Sequence, residues 1–158
     1  MAASVYIESS VPSAYVTPRT DSASRHRRDS TIEWWDQQRP AYELWSSDTT
    51  IAELREGQWP GQQQALSLIA DLPRLSVTDE VVAVARRYVR ERVVPADLGG
   101  DAMHLAAACV HEMDFLLTWN IRHLANPNKL DHLTVINRRL SLLTPRIVTP
   151  EMLWKEDF

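Results

Sequence analysis

The stretch GDAMHLAAACVHEMDFLLTWN, residues 100–120, carries the reading of the fold. Its first part, DAMHLAAACVHEM, is rich in Ala, Leu and Met, residues that lose little on entering a helix, and Asp101 stands where a capping carboxylate belongs. The DFLLT that follows is almost fully apolar, the pattern of a strand covered on both faces in the middle of a parallel sheet. WNIRHLANP then reads as a loop or helical turn.

The alternation continues on both sides. SVYI (4–7) is a short strand ending in the polar group Glu8-Ser9-Ser10, and Pro12 suits the first turn of a helix or a tight turn. TPRTDSASRHRR (17–28) reads as a polar, basic loop, and DSTIEWWDQQ as a helix capped by Asp29, Ser30 or Thr31 and ended by Pro40. YELWSS is a second strand, DTTIAELREG a helix stopped by Gly57, GQWPG a turn, and QQQALSLIADL a helix with Leu66, Ile69 and Leu72 on one side. RLSV is a third short strand. Thr78 caps a helix with the stripe Val81, Val82, Ala85, Tyr88 and Val89, and Arg86, Arg87, Arg90 and Arg92 lie mostly off it. Pro95 to Gly100 form a loop. Leu130, Leu133, Ile136 and Leu140 mark a further helix, RIVT is a last strand, and Thr149-Pro150-Glu151 reads as a capped helix start. The class is therefore α/β with a mainly parallel central sheet. No repeat or linker divides residues 1–158, which read as one domain.

Composition narrows function. With 44% hydrophobic and 24% charged residues, the chain has the makeup of a folded domain and not of a low-complexity one. No apolar run reaches membrane-spanning length, and MAASVYIESS lacks the basic start of a secretory signal. Cys109 is the only cysteine, which leaves no internal disulfide and no cysteine zinc cage, so a reducing cytoplasm is the expected setting. A net charge of −4 argues against coating nucleic acid by bulk charge, yet it is compatible with a nuclease built around an acidic metal site. All but two of the 17 basic residues are arginine, which suits phosphate recognition and equally a GC-rich genome.

In a parallel α/β sheet, ligands gather beyond the carboxyl ends of the strands. The first strand delivers Glu8 there, and DFLLT delivers Asn120 two residues past Thr118. The Gly99-Gly100 pair allows a tight approach into the helix that Asp101 opens, and Glu53 lies in the first turns after the second strand. Glu8, Glu53, Asp101 and Asn120 can therefore meet on one rim. Converging carboxylates repel unless a cation neutralises them. Hard oxygen ligands suit Mg²⁺ or Mn²⁺, which lowers the pKa of a bound water and polarises a phosphoryl oxygen. Phosphodiester hydrolysis is the reaction such a rim serves.

Taken singly, Asp101 also reads as a helix cap, Glu53 as a solvent-facing residue and Asn120 as a turn residue. Glu8, an acid closing an apolar strand, is poorly placed for a surface. His104, one turn after Asp101, either supports the rim or is a hydrogen-bonded core histidine. His111, His123 and His132 show no ligand spacing with each other or with Cys109, and phosphate-loop, dinucleotide and nucleophile-elbow motifs are absent.

These segments resemble a known family. VYIESSVPSAYV resembles the opening strand of PIN-domain proteins, SSDTTIAELREG their second-acid segment, and GDAMHLAAACVHEMDFLLTWNIRHLANP their third-acid helix followed by the fourth-site strand. The resemblance runs over most of residues 4–154 and is nearest to the VapC-like toxins of type II toxin–antitoxin systems or their stand-alone relatives. It implies a three-layer α/β/α sandwich, Mg²⁺- or Mn²⁺-dependent ribonuclease activity, a homodimer and an antitoxin partner. Glu8 takes the first acidic position, Glu53 the second, Asp101 the third and Asn120 the fourth, with Ser9, Thr118 and His104 in support. Two positions depart from the family pattern. Glu8 stands where Asp is common and reaches one methylene further, and Asn120 replaces a frequent Asp, losing a charge while keeping an oxygen.

Arg25, Arg27 and Arg28 in the basic stretch could touch an RNA backbone or belong to a solvated loop. Trp34, Trp35, Trp45 and Trp59 could stack bases, although core or dimer packing suits them better. The 81–92 helix is an amphipathic surface open to an antitoxin or dimer contact. Two other readings compete: a catalytically weak or inactive module binding RNA or a protein, and a hydrolase of small phosphate esters, whose DxD nucleophile motif is absent.

Overall fold

Val5, Tyr6 and Ile7 are all fully buried, which places their strand in the middle of the sheet. The computed structural model describes residues 1–96 and 100–156. Strands β1 (Ala3–Ile7), β2 (Tyr42–Ser47), β3 (Arg74–Leu75), β4 (Phe115–Leu117) and β5 (Arg146–Val148) form one parallel sheet in the order β3-β2-β1-β4-β5. Strand alternation sends Tyr6 and Leu116 to one face and Val5, Ile7, Leu44 and Leu117 to the other. The first face is covered by α5 (Asp79–Arg90), α6 (Asp101–Val110) and α7 (Pro127–Arg139). The second is covered by α1 (Ser10–Val16), α2 (Ser22–Gln37), α3 (Asp48–Arg55) and α4 (Gln62–Ile69). The result is the three-layer α/β/α sandwich that the motifs imply. Among the described residues, no helix is long and apolar enough to cross a membrane.

The basic stretch departs from its expected loop. Helix α2 starts at Ser22, and its cap is Asp21, whose carboxylate accepts the Ser24 N–H at 3.1 Å. Asp29, Ser30 and Thr31 therefore lie inside the helix and not at its cap. The early turns carry no apolar periodicity because they face solvent. The helix is held at its far end, where Trp34 is fully buried, stacks on Tyr42 and donates Nε1–H to the Leu153 carbonyl at 2.8 Å.

Smaller departures have local causes. β3 pairs only with β2 and keeps two residues of RLSV. On α5 the buried stripe is Val81, Val84, Ala85 and Tyr88, with Val82 and Val89 half-buried, because the helix turns Val84 into the sheet. On α7 Leu133 and Ile136 are buried while Leu130 is exposed. Thr149-Pro150-Glu151 forms a turn and no helix. The chain beyond it is claimed by α2: Gln38 bonds both the N–H and the carbonyl of Lys155, so those groups are not available to a helix. Gly99 lies outside the described residues. The Thr78 cap is present, its hydroxyl accepting the Val81 N–H at 3.2 Å.

The sheet order positions the site. Strand β1 has β2 on one side and β4 on the other, so the topological switch point falls between the ends of β1 and β4. The register pairs Ile7 with Leu117, and Glu8 N–H donates to the Leu117 carbonyl at 3.1 Å. Glu8 and Thr118 thus leave the sheet side by side.

Candidate active site

Glu8 is an acid at 5% exposure, held by a ring of hydroxyls and amides. Its Oε1 accepts from Thr118 Oγ1 at 2.7 Å, from Ser10 N–H at 3.1 Å and from the Ser10 hydroxyl. Each hydroxyl also accepts from the chain leaving β4: Trp119 N–H donates to Ser10 Oγ and Asn120 N–H to Thr118 Oγ1. Two backbone donors are thereby relayed onto one carboxylate oxygen, which balances burying its charge. Ser9 Oγ lies 2.9 Å from Glu8 Oε2 and 3.2 Å from Glu53 Oε1, so its one proton bridges the two acids.

Glu53 reaches the same point from α3, and its Oε1 bonds Nε2 of His104. His104 is fully buried, and its Nδ1 lies 2.6 Å from the Tyr6 hydroxyl, which contacts Ser47 Oγ at 2.6 Å and Thr50 Oγ1 at 3.2 Å. Thr50 in turn donates to the Ile7 carbonyl. A polar chain through the core therefore fixes Glu53 against β1, β2 and α6. Burial, the largest single influence, pulls the His104 pKa down, but Tyr6, Glu53 and Glu8 together outweigh it and lift it to about 10. Burial likewise raises the Glu53 carboxyl, and the bond and charge of His104 with the Ser9 bond bring it below its usual value. The two form an ion pair. Ligand atoms of Glu8, Glu53 and His104 all lie within 4.8 Å of one another. An imidazolium has no lone pair for an ion, however, so His104 serves Glu53 as counter-ion in this arrangement.

Asp101 opens α6 at 8% exposure. Burial and then the Glu8 charge raise its pKa, partly offset by His104, Asn120 and His123. Asn120 turns its Nδ2 to both oxygens of Asp101, at 3.2 and 3.1 Å, while its Oδ1 accepts the His123 N–H at 3.1 Å. The amide oxygen expected on the rim is thus engaged with the backbone, and Asn120 acts on the site as a donor to Asp101. Replacing it with Asp sets carboxylate against carboxylate. The Asn120→Asp protein is expected to melt lower without metal and to gain a larger Mg²⁺-induced shift, both read by thermal unfolding. If neither changes, the position is uncoupled from Asp101.

Gly100 is needed for space. A Cβ there would stand 2.8 Å from Glu53 Oε1 and 2.9 Å from its Cδ. That carboxylate is anchored by His104 and Ser9 and cannot swing away without breaking those bonds. Gly100→Ala is expected to weaken Mn²⁺ binding at least tenfold, the scale of lost outer-shell support, measured by calorimetry. Unchanged affinity would show that Glu53 has another seat.

The residues fit a hard divalent ion. Glu8 and Glu53 meet through Ser9, Asp101 lies near enough to feel the Glu8 charge but outside the 4.8 Å group of ligand atoms, and Oε2 of Glu53 carries no hydrogen bond among the described residues. Asp101 is charged only at a cost that a cation would relieve. The sequence reading missed Ser10 and Tyr6, whereas the tight approach expected at the Gly99-Gly100 pair is present at Gly100. Ser10 could have been found, since it stands two residues past Glu8. The Tyr6 contact spans 98 positions and left no local signal. Arg27, Arg25 and Arg28 lie on the solvent side of α2, Arg28 bonding Asp29, and Arg27 alone of the three lines the cavities beside the acids.

This parallel α/β/α sandwich, with acids at its switch point, matches the fold expected for the PIN-like class. The chain is similar to a chain in the crystal structure of VapBC2 from Rickettsia felis bound to a DNA fragment from their promoter, with a TM-score of 0.57 and 12% identity over 92% of this chain and 98% of that one. The likeness is one of fold. No family model and no curated protein matches the chain.

Proposed function

We propose that the protein is a Mg²⁺- or Mn²⁺-dependent endoribonuclease and the toxin of a toxin–antitoxin pair. What supports the hydrolytic part is the pair Glu8 and Glu53, bridged by Ser9 at the switch point, with Asp101 held by Asn120 within the field of Glu8. Glu8, Glu53 and Asp101 would hold the ion, which supplies Lewis acidity toward water and a phosphoryl oxygen. His104 fixes Glu53 Oε1 and leaves Oε2 without a hydrogen-bond partner among the described residues. Ser9 keeps the first two acids at one spacing, and Asn120 orients Asp101. RNA as substrate, a homodimer and an antitoxin partner follow from the motif resemblance, and the fold likeness to a VapBC2 chain supports the toxin–antitoxin part.

RNA cleavage in Mn²⁺ that stops in EDTA tests the metal role, and cleavage persisting in EDTA would sink it. Glu8→Gln keeps the shape of the side chain and removes its charge. It is expected to lower Mn²⁺ affinity at least tenfold in calorimetry, and unchanged affinity would remove Glu8 from the ligand set. A binding module without catalysis is favoured by one observation, the amide that replaces a fourth acid at Asn120. It predicts RNA bound but intact at saturating Mn²⁺.

A further inference from the structure

Two cavities adjoin the acid cluster and share a wall. The first, about 500 Å³, is lined by Ser10, Arg19, Arg27, Trp59, Pro60 and Trp119. The second, about 730 Å³, is lined by Arg27, Trp119, Asn120 and Arg122 with others. Each touches the cluster through a residue bonded to one of its acids, Ser10 to Glu8 and Asn120 to Asp101. Arg27, common to both, holds its guanidinium 5.6 Å over the Trp119 ring. That ring is 4% exposed and donates Nε1–H to Thr31 Oγ1, and the Thr31 hydroxyl donates to the Arg27 carbonyl. The stack thus presets where Arg27 points. Among the described residues, Arg19, Arg27 and Arg122 form no ion pair, although the chain carries a net charge of −4. Unpaired guanidiniums in an acidic chain, next to an acid cluster, ask for an external anion.

The first cavity also offers a ring. Trp59 is half-buried and donates Nε1–H to the Leu54 carbonyl at 3.1 Å. Its turn is pressed on α1 at Gly61, which has φ +85° and would put a Cβ 2.8 Å from Val16 Cγ2. The indole is therefore fixed in the cavity wall and not free to rotate out.

We infer that the two cavities seat the nucleotides flanking the cleaved bond of a single strand, with a phosphate on Arg27 and a base stacked on Trp59. This deepens the nuclease reading and rests on it for the link to cleavage. The first cavity pairs an indole with a guanidinium, and aromatic stacking with a guanidinium on the backbone is how single strands are held.

The test uses the full chain in EDTA, with fluorescein-labelled tetraadenylate and an abasic tetranucleotide of equal phosphate count read by anisotropy. Tetraadenylate is expected to bind roughly fivefold or more tighter than the abasic strand. Trp59→Leu should erase that difference and Trp59→Phe should restore most of it. The leucine keeps apolar bulk, and the Leu54 carbonyl stays bonded to Gln62 Nε2. Arg27→Gln should weaken both strands alike, by roughly tenfold. Equal affinities in the wild type, a difference that survives Trp59→Leu, or no binding of either strand would each overturn the proposal. Because the readout needs no metal, an absence of RNA cleavage in Mn²⁺ retires the nuclease reading alone, and cleavage together with equal affinity for the abasic strand retires this subsite alone.

Discussion

Replacing His104 with alanine is expected to destabilise the protein by about 2–5 kcal/mol, the scale of truncating a fully buried side chain, while the Glu53 side chain, 34% exposed, keeps access to water. Glu53 would keep its charge with only Ser9 as donor, and the Tyr6 hydroxyl would lose its contact with the ring. At roughly 2–4 °C per kcal/mol for a chain of this size, the melting temperature should fall by roughly 10 °C. A loss under about 1 kcal/mol would mean that water replaces the imidazole and that the pair is not structural. The pH dependence gives a second readout. His104 has its pKa raised from 6.5 to about 10, so its contribution is complete below pH 6.5 and is lost as pH rises toward 10. Glu53 has its pKa lowered, so its contribution is present above 4.5 and is lost as pH falls through the lowered value. The stability gap between wild type and His104→Ala should therefore narrow steadily between pH 6.5 and 10. A constant gap would show that the ring acts by packing alone.

Asp101→Asn is expected to reduce metal-dependent cleavage at least a hundredfold while leaving the metal-free melting temperature unchanged or raised. The two effects come from one cause. Asp101 is buried beside the charge of Glu8, so its ionised form costs stability in the fold, a cost relieved when pH falls through its raised pKa. An amide removes that cost permanently. In the proposed site it also removes a charge that would hold the ion, and losing such a ligand should cost at least the hundredfold upper range of lost outer-shell support. Asparagine keeps one oxygen for the Asn120 donor, so local structure survives. A variant that melts lower and still cleaves would make Asp101 a structural acid of the first turn of α6, whose N-cap is Gly100 with no side-chain bond.

Local chemistry made much of the fold legible. The apolar run in β4, the Thr78 cap and the stop at Gly57 each follow from side chains within a few positions. The start of α2 is a telling exception. Its polar turns are anchored by Trp34 and Trp35 further on, so no apolar period marks them, and the deciding feature is the single Asp21 cap. The turn at Thr149 is another, because distant Gln38 takes the backbone bonds of Lys155.

Neighbouring residues alone set parallel strands alternating with helices, place Glu8, Asp101 and Asn120 at strand ends or a helix start, and put Glu53 on the helix after the second strand, since side-chain period and capping are local properties. What those residues do to one another depends on contacts between distant parts of the chain. Tyr6 meets His104 across 98 positions, Glu53 fits because position 100 has no Cβ, and the Asn120 amide turns its nitrogen to Asp101 because its oxygen is taken by His123 N–H. Charge pairing and close approach depend on distance in space, and in this chain that distance is set by the β2-β1-β4 order of the sheet.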